Sequence, residues 1–571
     1  MNILNNLSFG SLLVGGQLIN KDREAVATQA TNPVVQTDGS RYSAGIKITS
    51  ANTGSSYGLP KLSSEITFSN PDNTSQVSQL LAKNHAIPPI KPQLGQQYGA
   101  PIPALNPGQR LNGGMIRLPE LATLGESYEQ DIRQYAQLNF PDDNGRYKAL
   151  DLTGFTDKKS EDLASINLQL KTRDGDVINF SLTSYKGYGS GDDERPASFT
   201  GTRVAFEVEG DLSPDELKQV EAFAQKINQA SEGYFSNGKV DIGDLELSTF
   251  SQFSDVDLSF LNDADGSGVR NFKLSYQDDA QSRSIDVNLN GDQAQITIDK
   301  TSLGIGANAQ QQKQALQEYL TLLEDSADEV HAEQTTQNLM METFELGFTQ
   351  LTTEAEDAAR HNSQKNTPIE TQALNKKVEN ALVGLPDFKF SFDSLVKRPN
   401  SDVQPNEYEG FKLNLSLKTH SYKYVENRTE TISQKQKFHL TGAYYTPLEG
   451  ADEPDFSKQN YRYTELDRVS EKITQLVTKD NQLILAMSTE QGEFNKTTQE
   501  YREGKLVDED SEFSGYSQIV EFTELAQQEN TLQSRELLNT VMIDPYQKNK
   551  EDTPQAVETV DGRLIRGQND H

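Results

Sequence analysis

Hydrophobic and polar residues alternate along much of the chain, and this period of two predicts antiparallel strands. Residues 166–170 and 178–182 alternate on either side of Asp174-Gly175, and a second alternating pair flanks Asn290-Gly291. Asp-Gly or Asn-Gly between two such runs is a strong signal for a two-residue hairpin turn. Further strands are predicted at 203–209, 411–417 and 483–487.

Segments with helical spacing interrupt these strands. Ser213, Pro214 and Glu216 match a capping box with proline at the first helical position, which predicts a helix that begins at Pro214. Apolar stripes between 307 and 383 predict two or three helices that pack together. Shorter helices are predicted at 126–138, 465–477 and 532–541.

Together these segments predict an α+β fold, in which antiparallel sheets pack with helices and a helical segment lies near the middle of the chain. The predicted divisions are a leader at 1–120, an α+β domain at 121–303, a helical segment at 304–384, a second α+β domain at 385–545 and a polar tail at 546–571. Strands, a helix and a strand follow one another in both α+β regions. A duplicated unit is one hypothesis for this order.

The leader differs from the rest of the chain in composition. Residues 1–120 hold 10 of the 21 prolines, and Ser, Thr, Asn, Gln and Gly fill much of the remainder. A segment of this kind buries too little apolar surface to offset the entropy of an ordered chain. The leader is therefore predicted to be extended and disordered, with its proline-rich end favouring polyproline II.

The charge of the chain limits its partners. The 53 Lys and Arg against 85 Asp and Glu give a net charge of −32. Binding to nucleic acid depends on cations that neutralise phosphates, and anionic lipid also attracts basic segments. Neither nucleic acid nor insertion into a membrane is therefore predicted, and a protein partner is expected instead.

The chain of 571 residues contains no cysteine, which excludes disulfides, thiolate catalysis and cysteine-bound metals. Avoidance of thiols suits an oxidising environment, whereas chance or lineage bias is the alternative explanation. The N-terminus has no basic residue before Lys21, so a cleavable secretory signal is not predicted. Export without a cleavable signal and residence in the bacterial cytoplasm both stay open.

One acidic turn resembles the beginning of a calcium-binding loop. Asp263, Asp265 and Ser267 present oxygen atoms at alternate positions, and Gly268 occupies the sixth place of such a loop. Leu274 stands at the twelfth place, where a bidentate acid is required. A solvated acidic turn is the preferred interpretation, and calcium binding by these three residues is the alternative.

Other motifs lack a part that their chemistry requires. Residues 233–239 have the glycine and lysine spacing of a phosphate-binding loop, but Val240 replaces the hydroxyl residue that contacts magnesium. Residues 304–309 resemble a dinucleotide fingerprint but follow an antiparallel hairpin. Residues 187–191 are interpreted as part of a mobile acidic loop, and His331 as a solvated residue on a helix. No catalytic, cofactor-binding or metal-binding residue is therefore predicted.

The stretch from Val204 to Gln252 resembles an uncharacterised domain family of proteobacterial proteins. The shared features are a strand that ends in Val-Glu-Gly, a helix with an acidic capped first turn, and aromatic residues at the end of that helix. The resemblance implies a Gram-negative bacterial source and no particular activity.

The leading functional hypothesis is a non-enzymatic bacterial structural or interaction protein. The first alternative is a hydrolase whose carboxylates come from distant segments, because such a site leaves no local motif. The second alternative is a calcium-dependent surface module built on Asp263, Asp265 and Ser267.

Overall fold

The computed structural model describes residues 61–68, 127–137, 155–191, 196–263, 269–302, 309–351, 381–394, 396–397, 407–424, 428–480, 482–527, 557–560 and 563–566. All of them belong to one compact unit, Ala44–His571.

One antiparallel sheet of 16 strands organises this unit, in the order β1-β2-β5-β4-β3-β6-β7-β8-β9-β10-β12-β13-β14-β15-β16, with β11 paired to β12. Its strands are β1 (Lys61–Phe68), β2 (Ser127–Gln137), β3 (Thr156–Thr172), β4 (Val177–Ser190), β5 (Pro196–Glu209), β6 (Phe253–Asn262), β7 (Arg270–Asp278), β8 (Ser282–Leu289), β9 (Asp292–Asp299), β10 (Phe388–Asp393), β11 (Val396–Lys397), β12 (Tyr408–Tyr424), β13 (Thr429–Thr446), β14 (Tyr461–Lys479), β15 (Gln482–Arg502) and β16 (Lys505–Glu521). β17 (Val557–Val560) and β18 (Arg563–Arg566) form a separate hairpin.

The described helices are α1 (Pro214–Asn237), α2 (Ala309–Glu329), α3 (Gln334–Phe348) and the short α4 (Thr523–Gln527). α1 begins as predicted, because the Ser213 side chain accepts a hydrogen bond from the Glu216 backbone and the Glu216 side chain accepts one from the Ser213 backbone. It ends at Gly238, whose φ of 75° is favourable for glycine.

The helices cover one face of the sheet, and the main core lies between the two. Phe223 of α1 packs against Phe253 of β6, and Phe344 of α3 packs against Phe388 and Phe390 of β10. Tyr319 of α2 also contacts Phe388. The alternation predicted for these strands therefore places their apolar side chains on the helix-covered face.

Both predicted hairpins are confirmed. Leu170 lies opposite Ile178 around Asp174-Gly175, and Leu289 lies opposite Asp292 around Asn290-Gly291. Positive φ angles of 55° at Asn290 and 109° at Gly291 suit the turn that matches the twist of the strands. The predicted strands at 203–209, 411–417 and 483–487 lie within β5, β12 and β15.

The predicted α+β class with a central helical segment is wrong. In the described part of the chain, 57% of residues are in strands and 23% in helices, so the fold is mostly β. The segments 126–138 and 465–477, predicted as helices, are β2 and β14. α2 and α3 occur within the segment predicted to be helical, but they lie on the sheet and share its core.

The reason for the error is clearest in β14. Leu466, Val469, Ile473 and Leu476 have helical spacing, yet from Thr464 onwards the buried positions of the strand alternate. Val469 points to solvent, whereas its neighbours Arg468 and Ser470 are buried. Pairing with β13 and β15 thus determines which side chains are covered, and it overrides the local apolar pattern.

The predicted domain boundaries stay predictions. Strands from 121–303 and 385–545 belong to one sheet, joined where β9 pairs with β10. Of the leader, only β1 belongs to the described residues, and it is a strand. The predicted helix at 532–541 lies outside the described residues, as does most of the tail apart from β17 and β18.

Candidate functional site

The face of the sheet opposite the helices is largely polar, apart from two small aromatic clusters, and we call it the open face. Pairs of polar side chains bridge its neighbouring strands: Asn167–Ser259, Gln169–Asn179, Gln295–Asp286, Lys412–Asp393 and Lys435–Glu471. Such ladders are expected where an antiparallel sheet meets water on one side. A partner that approached this face would meet hydrogen-bonding and charged groups.

A groove with a volume of about 350 Å³ lies at the C-terminal end of the sheet. We call it the tyrosine groove, and its lining residues are Tyr408, Thr441, Gly442, Ala443, Tyr463, Glu465, Leu466, Asp467, Asn495 and Thr497.

Strand register brings these residues together from four strands. Thr441 lies opposite Asp467, and Asp467 lies opposite Asn495. One step further along the open face, Ala443 lies opposite Glu465, and Glu465 lies opposite Thr497. The floor is low because β13 contributes small side chains at this point.

Gly442, at the floor of the groove, also leaves room for the helix layer on the other face of the sheet. A Cβ atom at this position would meet Val330, which directly follows α2, so glycine permits the close approach of that segment to the opposite face. The groove and the helix layer therefore depend on the same short segment of β13.

A buried carboxylate supports the aromatic end of the groove. Glu407 is 5% exposed, and its carboxylate accepts hydrogen bonds from the hydroxyls of Tyr445 and Tyr461, each at 3.0 Å. The Tyr445 ring packs edge-on against Tyr461, with 5.1 Å between ring centroids, and against Phe456 at 5.0 Å. These contacts hold the tyrosines in one arrangement.

Charges at this end favour neutral phenols. Burial and the nearby Glu407 carboxylate raise the pKa of Tyr445. Burial also raises the pKa of Tyr463, and Glu465 adds to the effect. A catalytic acid or base works best with a pKa near the working pH, and these shifts lead away from neutrality. The tyrosines and Glu407 therefore act as a scaffold.

The exposed carboxylates of the groove already have protein partners on one side. The Tyr463 hydroxyl donates to Glu465 Oε1 at 3.0 Å and accepts from the Tyr408 backbone N–H at 3.1 Å. His439 Nε2 lies 2.9 Å from Asp467 Oδ1. Each carboxylate has a second oxygen, so both can accept further hydrogen bonds from a ligand.

The buried carboxylate of Asp278 is surrounded by cations, and its contacts stabilise the fold. Buried Asp278 contacts Arg173 at 2.8 Å, and Arg283 and Lys300 at 3.2 Å. Burial alone would raise its pKa, but the charges of Arg283 and Lys300 outweigh this and hold it below its usual value. Arg283 also donates to the backbone oxygens of Gly347 and Thr349, and so anchors the end of α3 to β8.

A third polar group lies between α2 and β14, and we call it the polar seam. Arg468 pairs with Glu329 of α2, and its guanidinium lies over the Phe438 ring at 4.6 Å. Lys472 is 4% exposed and lies 3.6 Å from Glu490. Burial lowers the pKa of Lys472, and Glu490 opposes that change. The Tyr319 hydroxyl donates to Gln436. These contacts join α2 to β13 and β14, and β14 to β15.

The motifs considered from the sequence lie away from the tyrosine groove. Residues 233–239 include the C-terminal end of α1 and its capping residue Gly238. Residues 187–190 belong to β4, so their interpretation as a loop is wrong; Phe155 and Phe199 cover Gly189 and Gly187 there. His331 is exposed and contacts Tyr444, but it lies in the turn after α2 and not on a helix.

Two of the candidate sites lie mostly outside the described residues. Asp263 directly follows β6, whereas Asp265 and Ser267 lie outside the described residues, as do residues 304–308 of the segment 304–309. Within the described ranges, no group of three or more His, Asp or Glu residues is arranged to hold a metal ion. No helix among the described residues is long and apolar enough to cross a membrane.

Sequence reasoning missed the tyrosine groove. A signal was present in the sequence. Tyr461 and Tyr463 have the spacing of residues on one face of a strand, and Tyr445 comes shortly before them in the chain. The prediction of a helix at 465–477 concealed it, since a helix would separate the side chains of Glu465 and Asp467. In β14 they point to the same face.

Comparisons with protein families, curated proteins and solved structures found no match. The resemblance of 204–252 to a proteobacterial family therefore stays a prediction.

Proposed function

We propose that this chain is a non-enzymatic interaction protein, and that its tyrosine groove binds a basic segment of a partner protein. The observation that carries the proposal is the composition of the groove: two exposed carboxylates, Glu465 and Asp467, next to aromatic rings and small side chains. A lysine or arginine can pair with a carboxylate and lie against a tyrosine ring at the same time.

The net charge of −32 supports a cationic partner. Charges of one sign accelerate the encounter with an oppositely charged protein and repel acidic ones. The groove would then select the site of contact, because its floor accommodates a side chain between Tyr408 and Asp467. Asn495 and Thr497 offer hydrogen bonds to the backbone of the bound segment.

The scaffold beneath the groove supports binding more than catalysis. Glu407 accepts hydrogen bonds from the phenols of Tyr445 and Tyr461, and burial together with this carboxylate raises the pKa of Tyr445. A preformed aromatic wall reduces the entropy lost on binding. The alternative of a hydrolase with carboxylates from distant segments, and that of a calcium-dependent module, stay predictions.

Binding of a labelled oligoarginine peptide to the full chain, followed by fluorescence anisotropy, tests the proposal. Glu465→Gln combined with Asp467→Asn should weaken binding at least about ten-fold, which corresponds to roughly 1.4 kcal/mol. The matched control is Asp255→Asn combined with Asp257→Asn, which removes the same charge from the open face at β6 and should change affinity less than about two-fold.

Equal weakening by both double variants would show that only overall charge attracts the peptide, and would overturn the groove as the binding site. An unchanged affinity in the groove variant would do the same. An oligoglutamate peptide should not bind in either case.

A further inference from the structure

The last strand of the sheet, β16, is exposed to an unusual degree. It pairs with β15 on one side and is the terminal strand in the described sheet. Almost all of its residues are exposed or half-buried on both faces. Phe513 is 70% exposed and Ile519 is 64% exposed, and Leu506 and Val507 are about half exposed.

A terminal strand directs backbone N–H and C=O groups outwards, where another strand can pair with them. Natural proteins often protect such an edge with charges and bulges. β16 has both, because Asp508, Glu509, Asp510 and Glu512 form an acidic half, and the register with β15 shifts between Glu500 and Tyr501. The acidic residues therefore restrict which strands can add to this edge.

The order of residues in β16 is complementary to itself about its midpoint. The strand runs from Lys505 to Glu521, so Phe513 is central. If a second copy is placed antiparallel about this residue, Phe513 meets Phe513, and each acid meets an uncharged residue. The opposing pairs are Asp508–Gln518, Glu509–Ser517, Asp510–Tyr516, Ser511–Gly515 and Glu512–Ser514.

The bulge in β16 changes the pairs at the ends of the strand. Val507 is an extra residue relative to β15, because Asp508 pairs with Glu500 and Leu506 pairs with Tyr501. Counted past this bulge, Leu506 lies opposite Ile519 and Lys505 lies opposite Val520. Aromatic and apolar pairs across strands stabilise an antiparallel ladder.

Electrostatics disfavour the register centred on Glu512. Shifting the midpoint by one residue to Glu512 places that carboxylate opposite itself, which is destabilising. With Phe513 at the centre, the two copies of Glu512 lie two residues apart along the ladder, or about 7 Å at roughly 3.4 Å per residue, and the two copies of Asp510 lie six residues apart, or about 20 Å. The second distance exceeds the Debye length of about 8 Å at physiological salt, so the repulsion between the Asp510 copies is screened.

From these observations we infer that the chain forms a two-fold dimer through β16, with the second copy paired antiparallel about Phe513. The two sheets then continue into one another. The centre of the interface borders the tyrosine groove, because Phe513 pairs with the groove residue Asn495 across the β15–β16 ladder. The occupant is a second copy of this chain because the charge pattern of β16 fits its own sequence.

Sedimentation velocity of the full chain tests the dimer. At protein concentrations on the order of 10 μM, an interface with a Kd of roughly 1 μM is mostly occupied, and the mass should be twice the 63.5 kDa of one chain. Phe513→Glu places two carboxylates opposite each other and should give a monomer. Tyr188→Glu, at a 47% exposed aromatic residue of β4, is the matched control and should stay dimeric.

The absence of cysteine permits a direct test of the register. Opposing residues in an antiparallel pair have Cβ atoms about 4.5–5.5 Å apart, close to the separation in a disulfide. Phe513→Cys should therefore form a disulfide-linked dimer under mild oxidation. Glu509→Cys and Ser517→Cys should cross-link poorly alone and efficiently when the two variants are mixed.

A monomeric wild-type chain at these concentrations would overturn the inference. So would a dimer that persists in Phe513→Glu, because a different surface would then hold it. Cross-linking of Tyr188→Cys at the same rate as Phe513→Cys would indicate random collisions and would equally contradict the proposed register.

Discussion

The side of the sheet that faces the helices buries apolar residues in one region and charged residues in another. From β8 to β10 the buried residues include Val287, Ile296 and Phe390, which pack beneath α3. In β14 the buried residues include Arg468, Lys472 and Thr474, beside α2. Burial alternates equally well in both regions, so strand pairing sets the burial. The first region gains stability from apolar surface, whereas the second must pair its charges.

The two regions should therefore differ in how well they tolerate substitution. An apolar core tolerates exchange among residues of similar volume, while a charged pair in the interior depends on each partner. The polar seam lies in β14, two strands from β16, whose residues are exposed or half-buried on both faces. The following predictions compare the two regions, from the largest expected effect to the smallest.

The largest effect is expected at Phe344, which is fully buried and contacts Phe388 and Phe390. Phe344→Ala should lower the free energy of unfolding by about 3–5 kcal/mol, since it removes apolar contacts and leaves a cavity. Urea denaturation followed by circular dichroism measures this change. Tyr422→Ala, at a 58% exposed residue, should cost less than about 0.5 kcal/mol; a similar loss in both would contradict the assignment of the core.

The polar seam should respond to the loss of one partner. Arg468→Met should cost about 2–4 kcal/mol, because it leaves Glu329 without its cation at the C-terminal end of α2, where a negative charge is unfavourable. Adding Glu329→Gln should recover part of this loss. If the double variant is as unstable as Arg468→Met, then packing of the arginine against Phe438 and not its charge matters.

Acid should stabilise the contact between α3 and the turn that follows α1. Burial raises the pKa of Glu342 from its usual value of 4.5 to about 7, while the hydrogen bond that it accepts from the Ile242 backbone opposes the change. Between these values the native state binds more protons than the unfolded state, so this contribution to stability falls as pH rises from about 4.5 to 7.

Glu342→Gln should remove that pH dependence and stabilise the protein at pH 8 by on the order of 1–3 kcal/mol. Denaturation midpoints measured across this pH range provide the test. Glu324→Gln, at an exposed residue of α2, is the control and should follow the wild-type profile. Parallel profiles for wild type and Glu342→Gln would show that Glu342 is not the group responsible.

The smallest effect is expected on the open face. Lys412 and Asp393 form a pair at 2.7 Å with both side chains about half exposed. Lys412→Met should change the free energy of unfolding by less than about 0.5 kcal/mol, and salt should reduce even this effect. A cost comparable to that of Arg468→Met would mean that burial does not distinguish the two charged pairs.

Local signals predicted the turns and caps well. The two hairpins and the start of α1 depend on a few adjacent residues, Asp174-Gly175, Asn290-Gly291 and Ser213, whose backbone preferences act within one turn. The prediction of a helix at 465–477 failed because the spacing of Leu466, Val469, Ile473 and Leu476 fits a helix, whereas the strands that pair with this segment are not specified by its own residues.

The candidate site could be predicted even less. Glu407, Tyr445 and Tyr461 come from three separate segments, and only the pairing of β13 with β14 brings the tyrosines to one face. A carboxylate that serves as a scaffold has no local motif. By contrast, the self-complementary order of β16 is present in the sequence, although it has meaning only once the strand is known to end the sheet.

The sequence by itself determined the strand alternation, the turns, the capped helix, the acidic charge and the absence of thiol chemistry. Each of these depends on residues that are neighbours in the chain or on a simple count. The tertiary structure alone decided that one sheet joins both halves, that β14 buries cations, and that tyrosines and carboxylates meet in a groove. The physical reason is that burial and strand pairing are long-range, so the environment of a side chain is set by segments that its own neighbours do not specify.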